Sequence, residues 1–175
     1  MTKNIISIKG KTPVIAMDAF IAPSADVIGD VVIGEKSSVW FNCVVRGDVY
    51  SIRIGKRSNI QDGTIIHVSG GTHPTTIGDD VLVGHNCIIH GCTLEDASFV
   101  GMGTTILDGV VVESGGMVAA GALVTPNKRI PSGELWGGSP ARFLRKLSEE
   151  ERANLTSGAD HYAELSQEYR KALGL

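Results

Sequence analysis

Three histidines in this chain stand among residues that could hold and use a metal ion: His67, Gly84-His85-Asn86 and His90-Gly91-Cys92. A neutral imidazole is a common ligand for divalent transition metals, and three of them leave a tetrahedral ion one open position for water. Arg46-Gly47-Asp48 and Asn59-Ile60-Gln61-Asp62-Gly63 precede them. Arg46 is expected to pair in bidentate geometry with an aspartate across a contact between copies and to hold them in register. Gln61 could hydrogen-bond a metal-bound water. His161, beside Tyr162, is expected to face solvent.

What must position these groups is an internal repeat. An aliphatic residue opens each short unit: Ile15, Ile21, Val27, Ile33, Val39, Val45, Ile54, Ile60, Ile65, Ile77, Val83, Ile88, Leu94, Val100, Ile106, Val112, Val118 and Val124, eighteen in all. Most steps are six residues. Those from 60 to 65 and from 83 to 88 are five, while 45–54 and 65–77 are longer and are expected to be loops. Four places after each opener up to Val118 comes a second inward position, and after Val124 the exit residue Lys128. The inward position holds Ala19, Ala25, Val31, Ser37, Cys43, Val49, Ser58, Thr64, Ser69, Val81, Cys87, Cys92, Ser98, Thr104, Val110, Gly116 and Ala122, every one small or β-branched. All three cysteines occupy this register, so they read as core residues and not as zinc ligands. Sparse cysteines without CxxC spacing also suit a reducing, cytoplasmic setting.

A hexad that opens on an aliphatic residue and continues with glycine, as at Gly34, Gly55, Gly78, Gly84 and Gly101, resembles the hexapeptide-repeat family. The resemblance implies an all-β solenoid, a left-handed parallel β-helix of about six triangular coils, about 29 Å tall at ~4.8 Å per coil. Grouped in threes, the units define three sides. His67 and His90 each fall two places after a side-three opener in consecutive coils, so they stack. His85 falls two places after Val83, on side two. Five residues of strand separate His85 from His90, roughly 16 Å, whereas zinc ligands lie about 2.0–2.1 Å from the metal. One chain cannot gather all three, but a threefold assembly can if side three of one copy faces side two of the next. The expectation is therefore a homotrimer with metal sites at its interfaces. Arg46 and Asp48 lie on side three and Gln61 and Asp62 on side two, so these polar sets would meet across the same boundary.

The residues Arg46-Gly47-Asp48, Asn59 through Gly63, His67, Gly84-His85-Asn86 and His90-Gly91-Cys92 are similar to the gamma-class carbonic anhydrases, over roughly residues 10–145. The resemblance implies His67, His85 and His90 as ligands of zinc, with iron or cobalt as alternatives. It implies Arg46, Asp48 and Asp62 as interface residues that support the ligands, and Gln61 as the group orienting hydroxide or substrate. Metal-bound hydroxide would attack CO2, release bicarbonate and pass a proton to buffer. Two departures bear on that proton. Well-characterised members carry glutamate after the RGD aspartate, where this chain has Val49. They also carry an acidic loop after the first histidine, where residues 68–76 are short and uncharged. His73 in that loop, or Tyr162 from the C-terminal helix, could substitute. The competing expectations are an acyl-CoA-dependent acyltransferase, a thioesterase-like or metal-binding relative with weak CO2 hydration, and a structural trimer with a vestigial site.

The rest of the sequence agrees with a compact soluble protein. It has 175 residues, 42% hydrophobic and 20% charged, with 22 glycines and only 5% aromatics. A net charge of −3 offers no basic stripe for nucleic acid, and no apolar run is long enough to span a membrane. The opening stretch MTKNIISIKGK lacks the apolar core of a secretory signal. Residues 1–130 are expected to form the β-helix. Residues 131–175 are expected to form an exit segment, a helix start at Ser148-Glu149-Glu150-Glu151, and a helix whose face of Tyr162, Leu165, Tyr169 and Leu173 lies on the prism.

Overall fold

The computed structural model describes residues 4–175. Residues 1–3, part of the stretch that lacks a secretory signal's apolar core, lie outside the described residues. The chain forms the expected left-handed parallel β-helix with a C-terminal helix. From coil to coil its short strands pair in parallel with the strands above and below. Each side of the prism therefore stacks like on like. Ile15, Ile33, Ile54, Ile77, Leu94, Val112 and Ile130 align on one side. Ile21, Val39, Ile60, Val83, Val100, Val118 and Trp136 align on the second. Ile5, Val27, Val45, Ile66, Ile89, Ile106 and Val124 align on the third. β-Branched side chains suit this pleated, tightly stacked interior, and most of these residues are fully buried. Several corners are turned by Asn42, Asp80, Asn86 and Asn127 in left-handed backbone conformation, which Asn and Asp tolerate better than most residues.

Four expectations need correction. The inward residues at the third side are Ile66 and Ile89, both fully buried, while Ile65 and Ile88 are 45% and 43% exposed. The histidines thus follow an inward residue directly, and the steps 60–66 and 83–89 keep the six-residue period. The short step falls at 89–94, where Gly91 turns with φ +55°. Second, Val49 is exposed and Ser69 only half-buried; both belong to the two long steps, where the hexad lapses. Third, the step 45–54 is not a loop. It is one continuous strand, Val44–Ile54, that runs round a corner and bulges between Gly47 and Ile52 against its partner Asp26–Ile33. Fourth, the ladders add a rung at each end, through Ile5 below and through Ile130 and Trp136 above, giving about seven turns where six were expected.

The top strand of the second side, Glu134–Gly138, also pairs with Ala141–Lys146 in an antiparallel hairpin that the proline spacing did not reveal. Helix α1 (Glu149–Ala153) starts with the expected capping box at Ser148. Helix α2 (Ser157–Leu173) packs on the second side against the strands Phe20–Ile21, Ser38–Val39 and Asn59–Ile60. It buries Ala159, Ala163 and Ser166. Tyr169 and Leu173 of the expected face are instead exposed, because small residues let the helix approach the sheet closely while the rings pack from its flank. Tyr162 meets Trp40 edge-on at 5.5 Å, and Tyr169 meets Phe20, Trp40 and Phe41 at 5.1–5.9 Å. No helix among the described residues is long and apolar enough to cross a membrane.

Candidate metal centre

On the third side, parallel pairing sets His67 directly opposite His90 one coil on. Each ring projects outward because the residue before it points in. His67 Nδ1 lies 3.2 Å from His90 Nε2. Two ligands of a tetrahedral ion with bonds of 2.0–2.1 Å would sit about 3.3 Å apart, so the pair spans the distance that a shared cation requires.

A hydrogen-bonded line runs from these rings along the prism axis. His67 Nε2 meets Asp48 Oδ1 at 3.0 Å. Arg46 Nη1 donates to Asp48 Oδ2 at 2.7 Å, so within one chain Arg46 is held by the aspartate two residues on. In the other direction, His90 Nδ1 meets Asp108 Oδ1 at 2.6 Å, and the Ser69 hydroxyl donates to Asp108 Oδ2, also at 2.6 Å. Partial burial pushes the Asp48 carboxyl up, but the hydrogen bonds from His67 and Arg46 outweigh it and hold its pKa below the ordinary value. Asp108 follows the same balance: burial raises it, and the bonds from Ser69 and His90, with the nearby His73, bring it lower. Both carboxylates are thus kept ionised and accepting.

His85 stands apart on the second side, with Nδ1 2.9 Å from Asp62 Oδ2. Asp62 also caps the corner below, accepting the Phe41 amide at 3.1 Å. Tyr162 lies close by. Burial first, then the Asp62 charge, raises the pKa of its hydroxyl, so it stays protonated. Gln61 is buried one coil before His85, its Nε2 donating to Asn59 Oδ1 at 3.2 Å, while Asn59 Nδ2 is buried without an acceptor. Among the described residues, no three His, Cys, Asp or Glu side chains of the single chain converge as a metal cage. The chain carries two partial donor sets on different sides: His67 with His90, and His85.

The donor chemistry of each set fits a divalent metal. A carboxylate on Nδ1 of His90 and another on Nδ1 of His85 select the tautomer whose Nε2 lone pair is free, the arrangement typical of metal-bound histidine. The cysteines take no part. All three are buried and free. Burial pushes the thiols of Cys43 and Cys92 up to about 12.

Asp108 is the functional candidate that sequence reasoning missed. It follows the third-side residue Ile106 in the coil after His90, so counting one coil further along that side would have found it. His73, by contrast, reaches the site's edge, with Nδ1 3.1 Å from the Thr72 hydroxyl and 3.9 Å from Asp108 Oδ2.

Comparison with known proteins follows the same lines. Residues 74–108 match a family model described as the hexapeptide repeat of succinyl-transferase. The chain is 55% identical over 170 residues to gamma carbonic anhydrase 1, mitochondrial, of Arabidopsis thaliana. That alignment covers 94% of this chain but only 62% of the longer plant protein. It is 47% identical over 153 residues to a probable carbonic anhydrase of Methanocaldococcus jannaschii, covering 87% of this chain and 96% of that protein. A crystal structure of a hexapeptide transferase family protein from Anaplasma phagocytophilum superposes with TM-score 0.92 at 46% identity, covering 97% of this chain and 99% of that one.

Proposed function

The chain belongs to the gamma-class carbonic anhydrase family of hexapeptide-repeat proteins, and from that membership we propose that it is a metal-dependent enzyme interconverting CO2 and bicarbonate at sites shared between copies of a homotrimer. The observation that carries the reading is the division of the ligand histidines. His67 and His90 face each other at 3.2 Å on one side of the prism, and His85 is held ready by Asp62 on another. A metal at His67 and His90 needs a third imidazole from elsewhere, and His85 of a neighbouring copy is the group of matching chemistry.

The outer surface of the third side supports such a contact. Val44, Ile65, Ile88, Thr105 and Leu123 form one outward ladder beside the histidines. Next to His85, Met102 is 58% exposed. Apolar strips of this kind are what protein interfaces cover.

Zinc is the expected ion, with iron or cobalt as alternatives, and when bound it supplies the acidity that turns water into a nucleophile near neutral pH. The chain's residues do the rest. Asp108 and Asp62 fix the rings of His90 and His85. Asp48, clamped by Arg46, holds His67. Gln61, itself steadied by Asn59, orients the reacting oxygen, and protonated Tyr162 donates from beside Asp62. Val49 and the segment 68–76 place no carboxylate near the site, so proton export depends on His73 or on buffer.

The transferase names among hexapeptide relatives suggest a second reading, an acyl-CoA-dependent acyltransferase. Such an enzyme needs a single histidine as a base, which His85 on Asp62 could supply, but it has no use for a second pair of histidines facing each other at the spacing of a shared cation. A CoA-binding titration is expected to be negative.

Mixing two inactive variants tests the shared site. His85→Ala and His90→Ala homotrimers should each bind little metal and hydrate little CO2. Mixed trimers recreate complete sites wherever an intact His67/His90 pair meets an intact His85, so metal and activity should return. No recovery after verified subunit exchange would refute the intersubunit assignment.

A further inference from the structure

One carboxylate joins a candidate ligand to a surface turn. Asp108 Oδ1 is 2.6 Å from His90 Nδ1, while Asp108 Oδ2 accepts the Ser69 hydroxyl at 2.6 Å and lies 3.9 Å from His73 Nδ1. Ser69 and His73 open and close one tight turn. The Ser69 amide donates to the His73 carbonyl at 3.1 Å, and the Thr72 and His73 amides return to the Ser69 carbonyl at 3.3 and 3.2 Å. The turn sits over two glycines. A Cβ on Gly91 would lie 2.9 Å from His73 Cβ and would collide with Asp108 Oδ1; one on Gly109 would lie 3.5 Å from His73 Nε2. The carboxylate therefore reaches His90 across bare backbone, and the turn packs where a side chain on Gly91 would have crowded it.

We propose that Asp108 is a positioning residue that locks the turn 69–73 to the His90 ring, so that order in the turn and the aim of a metal ligand are coupled. The inference rests on His90 being a ligand, the reading given above. Its physical basis is direct. A carboxylate on Nδ1 fixes the ring's tautomer and direction, and loss of such a partner commonly costs about 10–100-fold in metal affinity. The coupling must also run the other way: whatever the ordered turn adds to metal binding, bound metal adds to the order of the turn.

Two measurements on the full chain test this. Zinc affinity is measured by chelator competition for the parent protein, Asp108→Asn and Ser69→Ala. Amide hydrogen exchange at Thr72 and His73 is followed with and without zinc, and the metal-free melting temperature of each variant checks that it folds. Asp108→Asn should weaken zinc binding about 10–100-fold with little change in metal-free melting. Ser69→Ala should weaken it by a smaller factor and remove the zinc-dependent slowing of exchange in the turn. If Asp108→Asn fails to fold, Ser69→Ala carries the test. A parent protein that takes up no zinc would remove the ligand reading itself. Tight zinc binding by the parent with unchanged affinity in Asp108→Asn, or turn exchange indifferent to zinc, would overturn the coupling and leave the ligands standing.

Discussion

His90→Ala removes one ring of a facing pair and strands the other. At this scale the account expects metal binding to fall below detection by elemental analysis while the trimer persists by light scattering; full metal content in that variant would refute the assignment. Val49 offers a gain-of-function test. It is 45% exposed and adjoins Asp48 in the bulge that supports His67, so Val49→Glu adds an exposed carboxylate that is not already committed to a histidine. Its CO2 hydration should rise relative to the parent at low buffer concentration and converge with it at high buffer, as stopped-flow measurements across buffer concentrations would show. The cysteines should be silent. With burial lifting Cys43 and Cys92 to about 12, almost no thiolate exists at pH 8. Iodoacetamide should label none of the three until the protein is unfolded, as mass spectrometry can verify. Residue types and their spacing along the repeat made the histidine set legible in the sequence. Asp108 was not, because a lone aspartate after Leu107 looks like a corner residue until its coil is counted against His90.

At the scale of the element, the hexad made the prism and its three sides readable, and it failed where periodicity itself is ambiguous. Ile65-Ile66 and Ile88-Ile89 are pairs of identical residues, so hydrophobicity cannot say which member points in. The hydrogen-bonded ladder decides: Ile66 and Ile89 stack between Val45 and Ile106. The two members should respond differently to mutation. Ile66→Ala empties a fully buried site and should destabilise the fold by about 2–5 kcal/mol, read from denaturant unfolding. Ile65→Ala should cost the fold little yet weaken assembly, shifting the monomer–trimer balance in sedimentation. The reverse order of effects would restore the register expected from sequence. The nine-residue step from Val45 to Ile54 was equally opaque, since a bulged strand and a loop carry the same interruption. The hairpin from Glu134 to Lys146 was hidden by the prolines around it, Pro131 and Pro140, which signalled only breaks.

At the scale of the whole molecule, the parallel stack does what no single element could. It repeats one outward position at each coil, so Arg46, His67 and His90 stack along the third side with Asp48 and Asp108 bonded to the rings beside them, while Asp62 and His85 repeat on the second. A prism of this width keeps those lines apart, which is why the proposed catalytic unit is a contact between copies. That is the central claim, and metal content with mass tests it most directly. Protein purified without chelator or nickel should contain one zinc-like metal per chain and scatter light as a trimer. A monomer that keeps its metal, or a metal-free trimer that cannot take up zinc on reconstitution, would contradict it.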